Sequence, residues 1–294
     1  MKKLTRKLFI SILSMAFAVI AIGTTTFAWI TISNTAEVKP FTGTVEDASG
    51  GIELQYGNGA WSSSIDISAG AAGVDLSDIT TVDGKVFKEF MFNNDSYAEI
   101  TDGAEGKYIE IEFKIRRSDY NVDGVGDELL KVYIDGTKVS FECDEKSFTS
   151  DVEVTGYDTT VNHILVANAA RMSLSYKTDS TTESTPVIYE KAAGTTQNIN
   201  DDNTTGTAYE GFAYKYWIAK GFEESSIPAK PNYETLKTGE TSSTPFVELG
   251  SEEVTIVLRV WVEGFDSECH ANILTQTLNV TLGFTTVAGS TPAN

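Results

Sequence analysis

The sequence predicts an all-β protein, an antiparallel β-sandwich of jelly-roll type with long Thr- and Ser-rich loops. Three observations carry that expectation. From Ile109 to Arg116, Ile109, Ile111, Phe113 and Ile115 alternate with Glu110, Glu112, Lys114 and Arg116, the period of two expected of a strand with one face on a core and one in water. The same period returns near the end of the chain, where Leu278, Val280, Leu282 and Phe284 alternate with Thr277, Asn279, Thr281 and Thr285. Between them, Val254 to Val262 is nearly continuous in apolar residues, as suits a strand at a sheet centre.

Further strands are expected at Ile52 to Tyr56, Val86 to Phe92, Leu129 to Ile134, Arg171 to Lys177, Val187 to Glu190 and Phe212 to Ala219. About nine or ten strands separated by Gly, Asn and Asp turns fit a two-layer sandwich. Helical signals are few. Asp158 to Ala170 and Asp266 to Leu274 are each suited to a short helix, the second capped by Asp266 or Ser267. Thr178 to Gly206 and Glu223 to Glu252, the latter with three of the six prolines, lack periodicity and read as long surface loops. The expected organisation is a signal peptide at 1–28, an N-terminal donor strand at 29–45, and one β-sandwich domain at 46–294 with insertions near 178–206 and 223–252. A boundary between Lys177 and Thr207 is the alternative. One domain is favoured because a last segment of three or four strands buries too little core alone.

The N-terminus has the layout of an export signal. Lys2, Lys3, Arg6 and Lys7 form a basic start, and Leu8 to Ile22 holds no charge and two serines. Thr26 and Ala28 are small residues at the −3 and −1 positions of a cleavage site after Ala28. The competing reading is a retained anchor, because Leu8 to Ile32 is long enough for a hydrocarbon core of about 30 Å. Cleavage would remove four basic and no acidic residues, so the formal charge of −20 becomes −24 over the remaining 266 residues. So acidic a chain repels nucleic-acid phosphates and anionic headgroups, which excludes nucleic acid, and the membrane after cleavage, as electrostatic partners. The expected location is extracellular or at the cell surface.

Cys143 and Cys269 are the only cysteines. In an oxidising compartment they form the minimal even set, and a disulfide between them is expected, with two buried free thiols as the opposing reading. It would close a loop of more than a hundred residues, for which the chain-entropy model gives roughly 4 to 5 kcal/mol.

The search for catalytic residues returns little. His163 and His270 are the only histidines, and neither lies in a His-Glu-x-x-His helix or a recognisable nucleophile motif. Cys143, His163, Cys269 and His270 are zinc-ligand types without zinc-ligand spacing. The chain is therefore expected not to be an enzyme. One motif favours a cation. Asp119, Asn121 and Asp123, followed by Gly124 and Asp127, place oxygen ligands on alternate residues around a sharp turn, the pattern of a calcium loop. Leu130 stands where an EF-hand has its bidentate glutamate, so the short extracellular type of loop is the nearer comparison. An acidic β-turn held by Asp and Asn side chains is the bland alternative. Ca²⁺ held by Asp119, Asn121, Asp123 and Asp127 is the expectation.

Two aromatic runs are candidate binding surfaces. Trp261 followed by Glu263, Gly264 and Asp266 is most simply a packed aromatic before a tight turn. Phe212, Tyr214, Tyr216, Trp217 and Phe222 suit sugar stacking, though such residues more often belong to a core or an interface.

Phe27-Ala28-Trp29, then Asn34 and Thr35, then Phe41-Thr-Gly43-Thr-Val45 and Gly51-Ile-Glu-Leu54 resemble the opening of the TasA and camelysin group of exported biofilm-matrix proteins. The likeness covers about the first 55 residues. Arg259 to Cys269 resembles, separately, a motif of uncharacterised secreted proteins of low-GC Gram-positive bacteria. The first resemblance implies a jelly roll that polymerises outside the cell. The proteolytic activity ascribed to camelysin is not carried over, for want of a His-Glu-x-x-His motif. The function expected is a structural subunit of extracellular fibres or surface matrix, with other copies of itself as the partner and cell-wall or matrix components as further candidates. Its assembly strand would be Trp29, Ile30 and Ile32 with Phe41, Trp29 and Thr31 pointing one way and Ile30 and Ile32 the other. A monomeric adhesin or carbohydrate-binding sandwich is the alternative, and a secreted hydrolase of unrecognised type the third class. A type IV pilin lacks support, since the glutamate near the start of a pilin helix is missing.

Overall fold

A computed structural model describes residues 42–47, 51–72, 74, 76–91, 96–100, 106–119, 129–143, 166–177, 179, 182–192, 221–227, 230–266, 269 and 276–287. In them the chain is all-β, with strands gathered into two sheets. The first contains β1 (Thr42–Asp47), β3 (Ser64–Asp66), β8 (Leu130–Ile134), β9 (Ser140–Cys143), β13 (Val247–Leu249) and β15 (Leu278–Val287). The second contains β2 (Ile52–Tyr56), β4 (Asp78–Thr81), β5 (Phe87–Met91), β6 (Ser96–Ile100), β7 (Ile109–Arg117), β10 (Ala170–Lys177), β11 (Val187–Glu190), β12 (Leu236–Lys237) and β14 (Val254–Glu263).

β15 organises the first sheet. One of its sides carries β9 beside its first half and β8 beside its second, both antiparallel. β8 and β9 thus follow one another along a single neighbour, separated by a 3-10 turn at Gly136–Lys138. On its other side β15 takes β1 in parallel, Val45 opposite Leu282, and β1 in turn pairs antiparallel with β3. Because paired residues share a face, Val45, Ile65, Ile134, Phe141, Val280, Leu282 and Phe284 form one apolar side, and all are buried.

β14 organises the second sheet. Its residues 255–262 pair with β10, residues 254–260 pair on the other side with β7, and its last two residues pair in parallel with β4. Ile256, Leu258 and Val260 stand opposite Phe113, Ile111 and Ile109, and also opposite Tyr176, Leu174 and Met172. That row faces the first sheet. Phe113 lies 6.3 Å from Phe284, and Phe246 bridges Phe284 at 6.1 Å and Tyr176 at 5.8 Å, ring centre to ring centre. The apolar core sits between these layers, where removal of area from water provides the main driving force.

The antiparallel expectation meets a difference in detail. Three pairings, β1 with β15, β11 with β12 and β14 with β4, are parallel, so both sheets are mixed. Hydrophobic period specifies which face is buried but is identical for the two strand directions. The segment 223–252 is also more than a surface loop. It contributes β12 and β13 and buries Ile227, Phe246, Val247 and Leu249. Of the expected helix at Asp158 to Ala170, the described part is one turn, α1 (Val166–Ala169), after which Ala170 opens β10. Asp266, the proposed start of the other helix, lies in the turn that ends β14. Most of that helix, and the expected strand Phe212 to Ala219, fall outside the described residues.

Candidate functional site

β14 is buried on both faces at its C-terminal end, and the face away from the main core holds a second, smaller core. Trp261 is fully buried there, with Ile79, Phe87, Tyr108 and Ile188 around it and Tyr233 packed on the cluster. Phe87 stacks on Tyr108 at 4.0 Å and meets Trp261 edge-on at 5.2 Å, while Tyr233 meets Trp261 edge-on at 6.3 Å. The turn closing β14 is anchored where the Gly264 amide donates to the Ile79 carbonyl at 2.8 Å. The reading of Trp261 and Gly264 as a packed aromatic and a turn therefore holds for the described residues.

Charged groups line this second core. Glu263, fully buried, accepts hydrogen bonds from Trp261 Nε1 at 3.1 Å, Tyr233 Oη at 2.8 Å and the Phe265 amide at 3.2 Å. Burial pushes its carboxyl up, against the hydrogen bonds from Thr80, Trp261 and Tyr233. Arg171, opposite Trp261 on β10, reaches Asp266 Oδ2 through Nη2 at 2.7 Å and Glu190 Oε2 through Nε at 2.8 Å. Its Nη1 donates to the carbonyls of Asn168 and Ala170. Lys237, beside Glu190 in the parallel β11–β12 ladder, pairs with Glu190 Oε1. Arg171 and Lys237 thus face Glu190 and Asp266 inside the protein, an arrangement tolerated only because each charge has an opposite neighbour. Asp78, beside the same turn, has its carboxyl raised to about 7, by burial first and by Glu89.

A second ionic group lies further along the outer face of β14. Arg259 holds Glu110 Oε2 at 2.6 Å and Glu183 by two contacts at 2.7 and 3.1 Å. Burial raises the Glu183 carboxyl, but the bonds from Arg259 and Ser175 outweigh it and the net shift is downward. The arrangement ties β7, β14 and the segment after β10 together. Neither group aligns a nucleophile with a base.

Among the residues singled out from sequence, Asp119 is described. Arg117 Nε and Nη2 donate to its two oxygens at 2.9 and 3.0 Å, and these bonds hold its carboxyl below the usual range. Asn121, Asp123 and Asp127 lie outside the described residues, as do His163, His270, Trp29, Ile30, Ile32, Phe41 and the signal-peptide segment. No group of three or more metal-ligating side chains occurs among the described residues. Cys143 and Cys269 are not bonded to each other in this structure. Cys143 ends β9 in the first sheet, opposite Leu278, whereas Cys269 follows the turn after β14 of the second. Trp61 carries the Arg116 guanidinium 4.1 Å above its ring, so that face of the indole is occupied by a cation.

Sequence reasoning missed Arg171, Glu190, Lys237 and Glu183. A signal did exist for two of them. Arg171 and Glu190 are charges within or ending strands that otherwise read as apolar, and a charge at such a position needs a buried partner. The chain is, by its fold, an all-β sandwich-like protein with a buried ionic cluster behind one sheet. No family model, curated protein or solved structure matches it.

Proposed function

We propose that the chain is an exported structural subunit that assembles head to tail into extracellular fibres, Trp29 to Ser33 of one copy adding as a strand to the next and Asn34 to Pro40 crossing between them. The observation that supports it most is the setting of β1, laddered to β15 over six residue pairs and to β3 on its other side. A segment just upstream that joined a neighbour's sheet would be tied to its own protomer by that ladder. β3 and β13 end the strand order of the first sheet, and edge strands offer unpaired backbone groups for such addition. Head-to-tail addition that does not close on itself gives a filament. The export signal and the resemblance of the first 55 residues support the same reading. Calcium in the Asp119 to Asp127 loop belongs to this proposal as a stiffening ion. Asp119 is shared there with Arg117, so Asn121, Asp123 and Asp127 would supply most of the ligands.

The test is electron microscopy of the mature protein beside a variant lacking residues 29–36. The full mature chain is expected to form filaments and the truncated one to remain a folded monomer. Filaments of normal length from the truncated protein would overturn strand exchange. A full-length monomer that binds glycans would support the adhesin instead.

A further inference from the structure

We propose that Lys237 and Glu190 become joined through an amide bond between Lys237 Nζ and Glu190 Cδ, a self-made covalent crosslink between β11 and β12. The two residues are register partners on adjacent parallel strands, and the Thr238 amide donates to the Glu190 carbonyl at 3.0 Å. Their side chains are in contact. Lys237 Nζ and both Glu190 oxygens are closed off from solvent, yet none of the three makes a hydrogen bond. Such an ion pair has lost its water without gaining directed bonds, a costly state. An amide removes both charges.

The surroundings favour the reaction. Burial, and Arg171 next, lowers the Lys237 ammonium to about 8, so a neutral amine is accessible. In a low-dielectric site the ammonium passes one proton to Glu190 Oε1, giving an amine and a carboxylic acid. The Nζ lone pair then forms the bond to Cδ, and the carbonyl electron pair moves onto Oε2. The Arg171 guanidinium, whose Nε is 2.8 Å from Oε2 without a hydrogen bond to it, places its positive charge beside that developing oxyanion. As the carbonyl re-forms, Oε1 leaves as water with its own proton and one from Nζ. An ammonium and a carboxylate become an amide and water, with no oxidant and no co-reactant. Charge balance is kept, since Arg171 retains Asp266 at 2.7 Å.

The crosslink would fasten the strand after Tyr233, which covers Trp261, to the sheet beneath. It does not depend on fibre formation. The experiment is intact mass measurement of the folded wild-type protein after denaturation, compared with the sequence mass for its measured N-terminus, followed by peptide mapping. The expected result is a deficit of one water and a branched peptide joining the fragments that hold Glu190 and Lys237. Lys237→Arg should restore the full mass. Wild-type protein of full mass, with those fragments recovered as separate linear peptides, would overturn the proposal. So would a water deficit that persists in Lys237→Arg.

Discussion

Arg171 Nη2 sits 2.7 Å from Asp266 Oδ2, with both side chains almost wholly removed from solvent. This contact joins the first residues of β10 to the turn after β14, which backbone amides of Gly264, Phe265, Asp266 and Cys269 also help to hold. Removing the guanidinium takes from the buried Asp266 carboxylate the cation it holds at 2.7 Å. Arg171→Ala is therefore expected to cost about 3–5 kcal/mol, read as a lowered urea midpoint. A loss below about 1 kcal/mol would show that water reaches the cluster.

Stability should fall as pH rises from about 4 to about 7. The Asp78 carboxyl is raised to about 7 by burial, so across that window the folded chain keeps a proton that the unfolded chain has released. Folding then takes up a proton, and raising pH weakens it. Glu263, also raised, contributes with the same sign. Asp78→Asn should flatten the slope of unfolding free energy against pH, and an unchanged slope would assign the effect elsewhere.

Gly136 opens the turn between β8 and β9, where a Cβ would fall 1.9 Å from the Glu240 carbonyl oxygen. The obstacle is backbone, and it is fixed by the Gly239 amide donating to the Gly136 carbonyl and by Tyr189 Oη donating to Glu240. Gly136→Ala should destabilise by at least about 1–3 kcal/mol, the range for overpacking. A thermal midpoint equal to the parent's would contradict this packing.

Cys269 is buried, and burial together with Asp78, Asp266 and Glu263 raises its thiol well above the ordinary value. The thiolate is the reactive form. Maleimide should therefore spare Cys269 in the native protein and label it after denaturation. Two labels per denatured, unreduced chain are expected, and none would restore the disulfide.

Calcium should raise the thermal midpoint and a chelator should lower it, by mass action on the folded state. Asp123→Ala is expected to abolish that shift, whereas Asp119→Ala should reduce it only partly, because Arg117 already compensates Asp119. Equal calcium shifts in parent and Asp123→Ala would remove the loop from consideration.

The sequence by itself determined the all-β class and most strands of the main core, because alternation along Ile109 to Arg117 and Leu278 to Phe284 directly encodes one buried and one wet face. Short strands such as β4, β12 and β13 were not legible, since a few residues cannot establish a period. Strand direction was not legible either, so the parallel setting of β1 beside β15 emerged only from the fold. Which charges pair in the buried ionic cluster was decided by tertiary structure. Arg171, Glu190, Lys237 and Asp266 are distant along the chain, and a charge reveals its partner only when folding removes both from water.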